Sequence, residues 1–446
     1  MKAVILALAA LMYALVIAFQ SKKLIFTTGA ALIAIALAML FPGDVFTLPA
    51  GVVAGSLASR VFALTHSLCS LVNWNVVMIY LGSMAIASLF IYSKAPARIA
   101  SVIVNSSANS AAALVAILAM TGIISIFVEN VATVLVMAPI GLALCSSLQM
   151  NPTFFMIGLA VMSNLEGTAT LVGDPPSMIF AAFSGYGFND FFVHSGRLSI
   201  FFVVQTGMIA GCVFFWFFFA SQRKNKIAVS TEKVISWTPF AILLAMIVGL
   251  AAISFLHTTF AFASGTLTLA LGLASLAWYK LSQRKTMREV WQVVRELDWE
   301  TIFFLLGIFV VVGAIREVGL LDDLACYLSA LTGGGKLAGF AVILAVSVVI
   351  SGFVDNVPYI IAMLPVASAM AGQAGVRGEL FMFALLVGSC LGGNLTPFGA
   401  SANVVAMGIL KKQGYPMRFS GWLKTGVPFT LVTTIAAAVV LWLLWA

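Results

Sequence analysis

The sequence predicts an all-α polytopic membrane protein made of two inverted-topology repeats, each with five crossings, a re-entrant hairpin and a broken helix. Three observations predict it. Of 446 residues, 62% are hydrophobic and only 9% charged, with a mean hydropathy of +1.12, whereas soluble domains carry about 25% charged residues. The apolar residues come in long runs and do not alternate, which marks helices and excludes the strands of an outer-membrane barrel. The chain also repeats itself at a constant offset, as shown below. At roughly 20 residues per crossing there is room for about ten to twelve helices, the size of a transporter or channel.

In chain order, the crossings are expected at residues 4–19, 24–40, 74–92, an interrupted segment 154–183, and 200–219. A second set follows at 237–256, 260–279, 301–315, an interrupted segment 380–410, and 428–445. The first run, after Lys2, is read as a span and not a leader, because no small-residue cleavage site follows it and Lys22-Lys23 does. Two further apolar stretches, 111–148 and 337–370, carry an acid near their middle and are read as hairpins that enter and leave on one side.

Loop charge orients these elements. With the amino terminus outside, the cytoplasmic loops hold 17 of the 23 Lys and Arg residues, including Lys22, Lys23, Arg223, Lys224, Lys226 and Arg288. Lys2, Arg60, Arg197, Arg316, Lys336 and Arg377 remain on the other side. That bias is expected of a cytoplasmic (inner) membrane protein with both termini extracytoplasmic. It explains the net charge of +8 without nucleic acid; these basic residues read as lipid-facing anchors with no chemistry. The five cysteines stand singly, so neither a disulfide framework nor a metal site is indicated.

The repeat is the most informative feature. SIFVENVATVLVMAPI at 125–140 aligns without a gap to SGFVDNVPYIIAMLPV at 351–366, with seven of sixteen positions identical. Glu129 falls opposite Asp355, Thr170 opposite Thr396 and Gly173 opposite Gly399, all at an offset of 226. Trp74 and Gly82 match Trp299 and Gly307 at 225. Repeat 1 is therefore residues 1–228 and repeat 2 residues 229–446. Five crossings per copy, an odd number, turn the second copy upside down, and the hairpin tips then meet near the midplane.

The residues at those tips and breaks are unusual for lipid. Glu129-Asn130 and Asp355-Asn356 stand at the turns. Asn164, Glu166, Thr168, Thr170, Gly173 and Asp174 interrupt one span, and Gly392, Gly393, Asn394, Thr396, Gly399, Ser401 and Asn403 interrupt the other. Backbone groups freed by such breaks need partners that lipid cannot give, so they line a wet or ligand-filled cavity. A lone Gly or Pro in a membrane helix is usually only a kink, but here the breaks recur at matched positions. An intramembrane carboxylate costs about 2.5 to 3.5 kcal/mol to insert, which argues against two symmetric acids being passengers. Glu129 and Asp355 are the expected proton-coupling groups, with Glu166 a third candidate. Glu166 and Asp174 have no acidic counterpart, and Asp174 before Pro175-Pro176 has the alternative reading of a helix cap. With no Lys, Arg or His of its own, the cavity reads as built for protons or cations; an anion would need half-helix amino termini and a co-bound cation.

VENVATVLVMAP and VDNVPYIIAMLP, together with GTATLVGDPPS and GGNLTPFGASANVV, resemble the ion transporter superfamily across essentially the whole chain, most closely its ArsB/NhaD/P-protein permease branch of arsenite/antimonite efflux permeases and sodium/proton antiporters. The resemblance implies a scaffold domain, a transport domain and a homodimer. The Ser-Asn-Thr signature of the related sodium symporters is replaced by Glu129-Asn130-Val131 and Asp355-Asn356-Val357, which argues against sodium-coupled dicarboxylate uptake. The leading expectation is proton-coupled efflux of arsenite or antimonite by alternating access, giving arsenic resistance. Asn130, Asn356, Asn394, Asn403, Thr170 and Thr396 would hydrogen-bond the uncharged hydroxide, and Cys390 reads as a packing residue. The alternatives are a sodium/proton antiporter and, behind it, an anion/sodium symporter. No cofactor is expected beyond H⁺ or Na⁺ as coupling ion, and with no ATP-binding motif any ATP use would need an accessory ATPase. No enzyme constellation is visible, and His66, His194 and His257 are expected in loops.

Overall fold

The computed structural model describes residues 1–19, 22–222, 231–256, 260–331 and 333–446. Arg223, Lys224, Lys226, His257 and the junction at 228/229 lie outside the described residues. The first ten helices are α1 (Lys2–Ala18), α2 (Lys23–Leu40), α3 (Leu57–Thr65), α4 (Trp74–Tyr92), α5 (Ala95–Ser106), α6 (Ser110–Ser125), α7 (Asn130–Ser147), α8 (Thr153–Gly167), α9 (Pro175–Ser184) and α10 (Ile200–Phe218). Ten more follow: α11 (Thr238–Leu256), α12 (Ala263–Leu281), α13 (Met287–Arg295), α14 (Trp299–Glu317), α15 (Leu320–Leu331), α16 (Lys336–Ser351), α17 (Asn356–Gln373), α18 (Gly378–Gly392), α19 (Ser401–Lys412) and α20 (Phe419–Trp445). A two-residue hairpin, β1 (Val193–His194) with β2 (Arg197–Leu198), precedes α10.

Matched positions use matched chemistry. Asn73 caps α4 by accepting the Val76 amide at 3.1 Å, and Asp298 caps α14 by accepting that of Thr301 at 3.0 Å. Each cap supplies an acceptor for an amide that the first helical turn leaves unpaired. Pro139 within α7 recurs as Pro365 within α17, where each proline lacks the N–H of an intrahelical hydrogen bond.

The copies interlock. α4 packs on α12 and α14 on α2, and both crossings depend on glycine. A Cβ at Gly82 would collide with the backbone of Thr268, and one at Gly307 would come within 3.0 to 3.3 Å of Thr27. Close backbone approach at small residues is how helices associate where lipid gives no hydrophobic drive. α4 and α14 are the most enclosed spans, at 61% buried, against 22% for the lipid-facing α11. These helices form a scaffold. Hairpins α6–α7 and α16–α17 and broken helices α8–α9 and α18–α19 pack together as a second body, closed by α10 against α20.

Among the described residues, seven helices are long and apolar enough to cross a membrane singly, the hairpin arm α7 among them; the half-helices α8, α9, α18 and α19, with 10 to 15 residues, are shorter because two of them share one traverse. The short helices α3, α5, α13 and α15, with 9 to 12 residues, cannot span about 30 Å at 1.5 Å per residue. Both termini lie on one face: Lys2 pairs with Asp323 at 2.5 Å, and Lys336 stands over Trp442. The opposite face carries the amphipathic α13 with Arg288 and Arg295.

Two histidines depart from the loop expectation. His66 opens a π turn that continues α3 and lies between the rings of Phe46 and Phe62, because the apolar run there stays helical through Ser70. His194 sits in β1, 2.9 Å from Asp190 and stacked on Tyr186.

Candidate functional site

Each hairpin turns through an acid that caps its outgoing arm. Glu129 accepts the Ala132 amide at 3.0 Å at the start of α7, and Asp355 accepts the Val357 amide at 3.2 Å at the start of α17. A serine behind each tip holds the neighbouring asparagine: Ser125 Oγ donates to Asn130 Oδ1 at 2.7 Å and Ser351 Oγ to Asn356 Oδ1 at 2.5 Å. Each break is then tied to its hairpin by a threonine, with Thr170 Oγ1 donating to the Ile126 carbonyl at 2.5 Å and Thr396 Oγ1 to that of Gly352. These partners stand 226 residues apart, except the capped amides of Ala132 and Val357, which stand 225 apart. The polar groups freed by two broken helices are largely paired within the protein, as a low-dielectric interior requires.

Where scaffold and second body meet, a cavity of about 40 Å³ gathers both tips. Glu129, Asn130, Asn164, Asp174, Asp355, Asn356 and Ser401 line it from one body. Lys23, Tyr80, Asp298, Thr301 and Phe304 line it from the scaffold. The amino-terminal ends of α7, α9, α17 and α19 open onto it, since Val131, Pro175, Val357 and Ala402 are also wall residues. Each such end presents about half a positive charge and unpaired N–H groups. Four carboxylates therefore face four helix amino termini and one lysine.

That lysine overturns the expectation of a cavity without a basic group. Lys23 Nζ lies 2.8 Å from Asp355 Oδ2 and 5.1 Å from the centre of the Phe304 ring. Counting it as a solvated loop anchor missed it, because the first turn of α2 dips beside the second hairpin tip. Asp298 was missed as well. Its sequence signal is its place opposite Asn73 at the 225 offset, and in the structure both residues cap their helices.

The remaining predicted residues stand behind this wall, and Asn394 and Asn403 are reached through Asn164 of the wall. Asn164 Nδ2 donates to Asn394 Oδ1 and to Asn403 Oδ1, each at 2.8 Å, so one amide joins the two breaks. Asn403 Nδ2 donates onward to the carbonyls of Gly393 and Thr396, and Trp422 Nε1 to that of Asn394. The Asn164 Oδ1 atom is buried with no donor. Thr168 is buried and donates weakly back to the Asn164 carbonyl at 3.5 Å. Gly173 and Gly399 sit against carbonyls of their own break and hairpin. Glu166 lies apart from the chamber: Gln205 Nε2 donates to its Oε2 at 2.7 Å, and its Oε1 has no partner. Cys390 is fully buried and not a wall residue. Among the described residues, no cluster of three or more His, Cys, Asp or Glu could hold a metal ion.

A larger vestibule of about 770 Å³ opens toward the face that carries the termini. Asn73, Asn75, Ser264 and Arg316 line its sides, and Ile79, Leu171 and Met178 stand at its inner end. Ile79 of the vestibule wall and Tyr80 of the chamber wall are neighbours on α4.

The sequence profile of the citrate transporter family matches residues 13–388. An uncharacterised transporter of Mycobacterium tuberculosis is 30% identical over 381 residues, covering 83% of this chain and 86% of that protein. The human P protein is 24% identical over 391 residues, covering 70% of this chain and 46% of its own. Among solved structures, the YdaH transporter of Alcanivorax borkumensis superposes with a TM-score of 0.63 at 13% identity, over 94% of this chain and 97% of that one. MtrF of Neisseria gonorrhoeae gives 0.58 at 14%, over 93% and 94%. At these identities the two structures speak for the fold alone.

Proposed function

The chain belongs to the citrate transporter family, within the ion transporter superfamily of secondary transporters, and from that premise we propose that it exports arsenite or antimonite in exchange for protons by alternating access. The observation that carries the proposal is the acceptor-rich chamber between the two tips. Glu129, Asp174, Asp298 and Asp355 offer oxygen acceptors, the buried Asn164 Oδ1 lacks a donor, and Lys23 is committed to Asp355. Such a wall suits a ligand that brings donors. A water-sized centre needs about 10 to 15 Å³, so about 40 Å³ accommodates roughly three oxygens, the number in an arsenite trihydroxide. Protons arriving on the carboxylates remove those acceptors and expel the hydroxide; their departure restores them. Glu129 and Asp355 are the coupling groups, and Asn130, Asn164, Asp174, Asn356 and Ser401 complete the wall.

Two other cargoes have an observation in their favour. The same oxygens would surround a sodium ion, the sodium/proton antiporter reading. The four helix amino termini and Lys23, with the family's citrate-transporting namesake, favour an organic anion carried with a cation. We place the protein in the cytoplasmic membrane with both termini outside, as a homodimer, with an accessory ATPase optional.

Transport by everted vesicles with arsenite, antimonite, sodium, lithium and citrate, compared side by side, decides among these. Arsenite uptake that collapses with a protonophore is the expected result. Sodium-evoked proton release or citrate flux without arsenite transport would replace the proposal.

A further inference from the structure

The two copies match in hairpins, breaks and crossings, yet differ in charge at the boundary between the bodies, and one difference bears directly on a hairpin tip. Thr27 of α2 meets Gly307 as Thr268 of α12 meets Gly82. Aligned on these crossings, residue 23 corresponds to residue 264, the same 241 positions apart. Lys23 reaches into the chamber and pairs with Asp355, the tip of the second hairpin. Its counterpart Ser264 lines the vestibule. Glu129, the tip of the first hairpin, makes no ion pair among the described residues. The scaffold also holds the second hairpin through Tyr13, whose hydroxyl donates to the Pro358 carbonyl at 3.1 Å.

An inverted repeat switches faces by exchanging the environments of its two halves. In the conformation seen here, wide toward the termini and narrow toward the basic face, the second tip is clamped by Lys23. In the exchanged conformation the first tip would meet Ser264, which cannot replace an ammonium group. We propose that Lys23 is the resident counter-cation of Asp355 and makes the two faces unequal. With the chamber empty, it occupies the cation position at the second tip and favours the vestibule-open state. It must leave Asp355 before the chamber opens to the basic face. Asp355 then exchanges Lys23 for the transported species, while Glu129 and Asp174 have no resident cation. This assignment rests on the chamber being the transport site but not on which cargo it carries.

The test reads populations without substrate. In reconstituted full-length protein with its other four cysteines replaced, Cys69 on the vestibule wall is labelled by a membrane-impermeant maleimide from the terminal face. A parallel Ser401→Cys variant, also lacking Cys69, is labelled from the basic face. Lys23→Gln should lower the ratio of the two rates about fivefold, the effect of removing a part-buried ion pair. Asp355→Asn should do the same, with no further change in the double variant. Lys23→Arg should restore the ratio, and Ser264→Lys in the Lys23→Gln background should push it further toward the basic face. An unchanged ratio in Lys23→Gln, additive effects of Lys23→Gln and Asp355→Asn, or no response to Ser264→Lys would overturn the assignment. A normal shift with no transport of any cargo would instead refute the functional reading.

Discussion

Alanine at Gly399 tests how tightly each break is seated on its hairpin. Its Cβ would lie 2.5 Å from the Gly393 carbonyl oxygen and 3.0 Å from that of Gly352, where ordinary contact begins at 3.4 Å. Relief requires a shift of about 0.9 Å in backbone, because no flexible side chain is available to move. The Gly352 carbonyl is itself the acceptor of the Thr396 hydroxyl, so a shift also stretches that bond. Overpacking costs ~1–3 kcal/mol and a weakened hydrogen bond ~0.5–1.5 kcal/mol, which sums to about 1.5–4.5 kcal/mol. Gly408 in α19 has nothing within 4 Å of its would-be Cβ and is the control; alanine there should gain up to ~1 kcal/mol of helix propensity. Unfolding midpoints of the detergent-purified variants, with flux in proteoliposomes, provide the readout. Gly399→Ala should lower both, as should Gly173→Ala, whose Cβ would meet the Ser125 oxygen at 2.9 Å. Wild-type stability and flux in Gly399→Ala and Gly173→Ala alike would refute the seating of the breaks on the hairpins.

Other expected outcomes follow from single contacts. Asn164→Ala removes the donors to Asn394 and Asn403, leaving two buried acceptors at ~1–3 kcal/mol each; the midpoint should fall more than in Asn151→Ala, outside the chamber, and equal midpoints would contradict the bridge. On α13, Lys285 and Thr286 hold the Glu289 carboxylate down from its ordinary 4.5 to about 2. A pKa depressed by folding contributes stability that is complete above about 4.5 and lost as pH falls through about 2. Amide exchange over residues 287–295, corrected for intrinsic rates, should therefore stay constant from pH 8 to 5 and accelerate below, with Glu289→Gln showing no such step. A pH-independent wild type would remove the capping box from the account.

Much of this architecture was legible because duplication turns a weak pattern into a strong one. One acid in an apolar run is ambiguous, whereas Glu129 and Asp355 at a constant offset placed both hairpin tips, and both line the chamber. The short helices α3, α5, α13 and α15 were not legible as elements, since 9 to 12 residues of mixed polarity resemble loops. Lys23 was invisible for a different reason. Counting loop charges treats every lysine near a helix end as solvated, and only tertiary packing reveals one that folds inward. Thr170 and Thr396 have side chains capable of holding a ligand, yet each satisfies a hairpin carbonyl; residue type cannot distinguish those uses when breaks create acceptors of their own.

The central claim is that the two tips share one chamber whose acids couple transport. Proton-gradient-driven flux of the cargo identified above, measured in proteoliposomes for Glu129→Gln and Asp355→Asn with each variant's unfolding midpoint as a check on folding, tests it most directly. The account predicts that each substitution alone abolishes coupled flux in a folded protein. Wild-type turnover in either variant would contradict it.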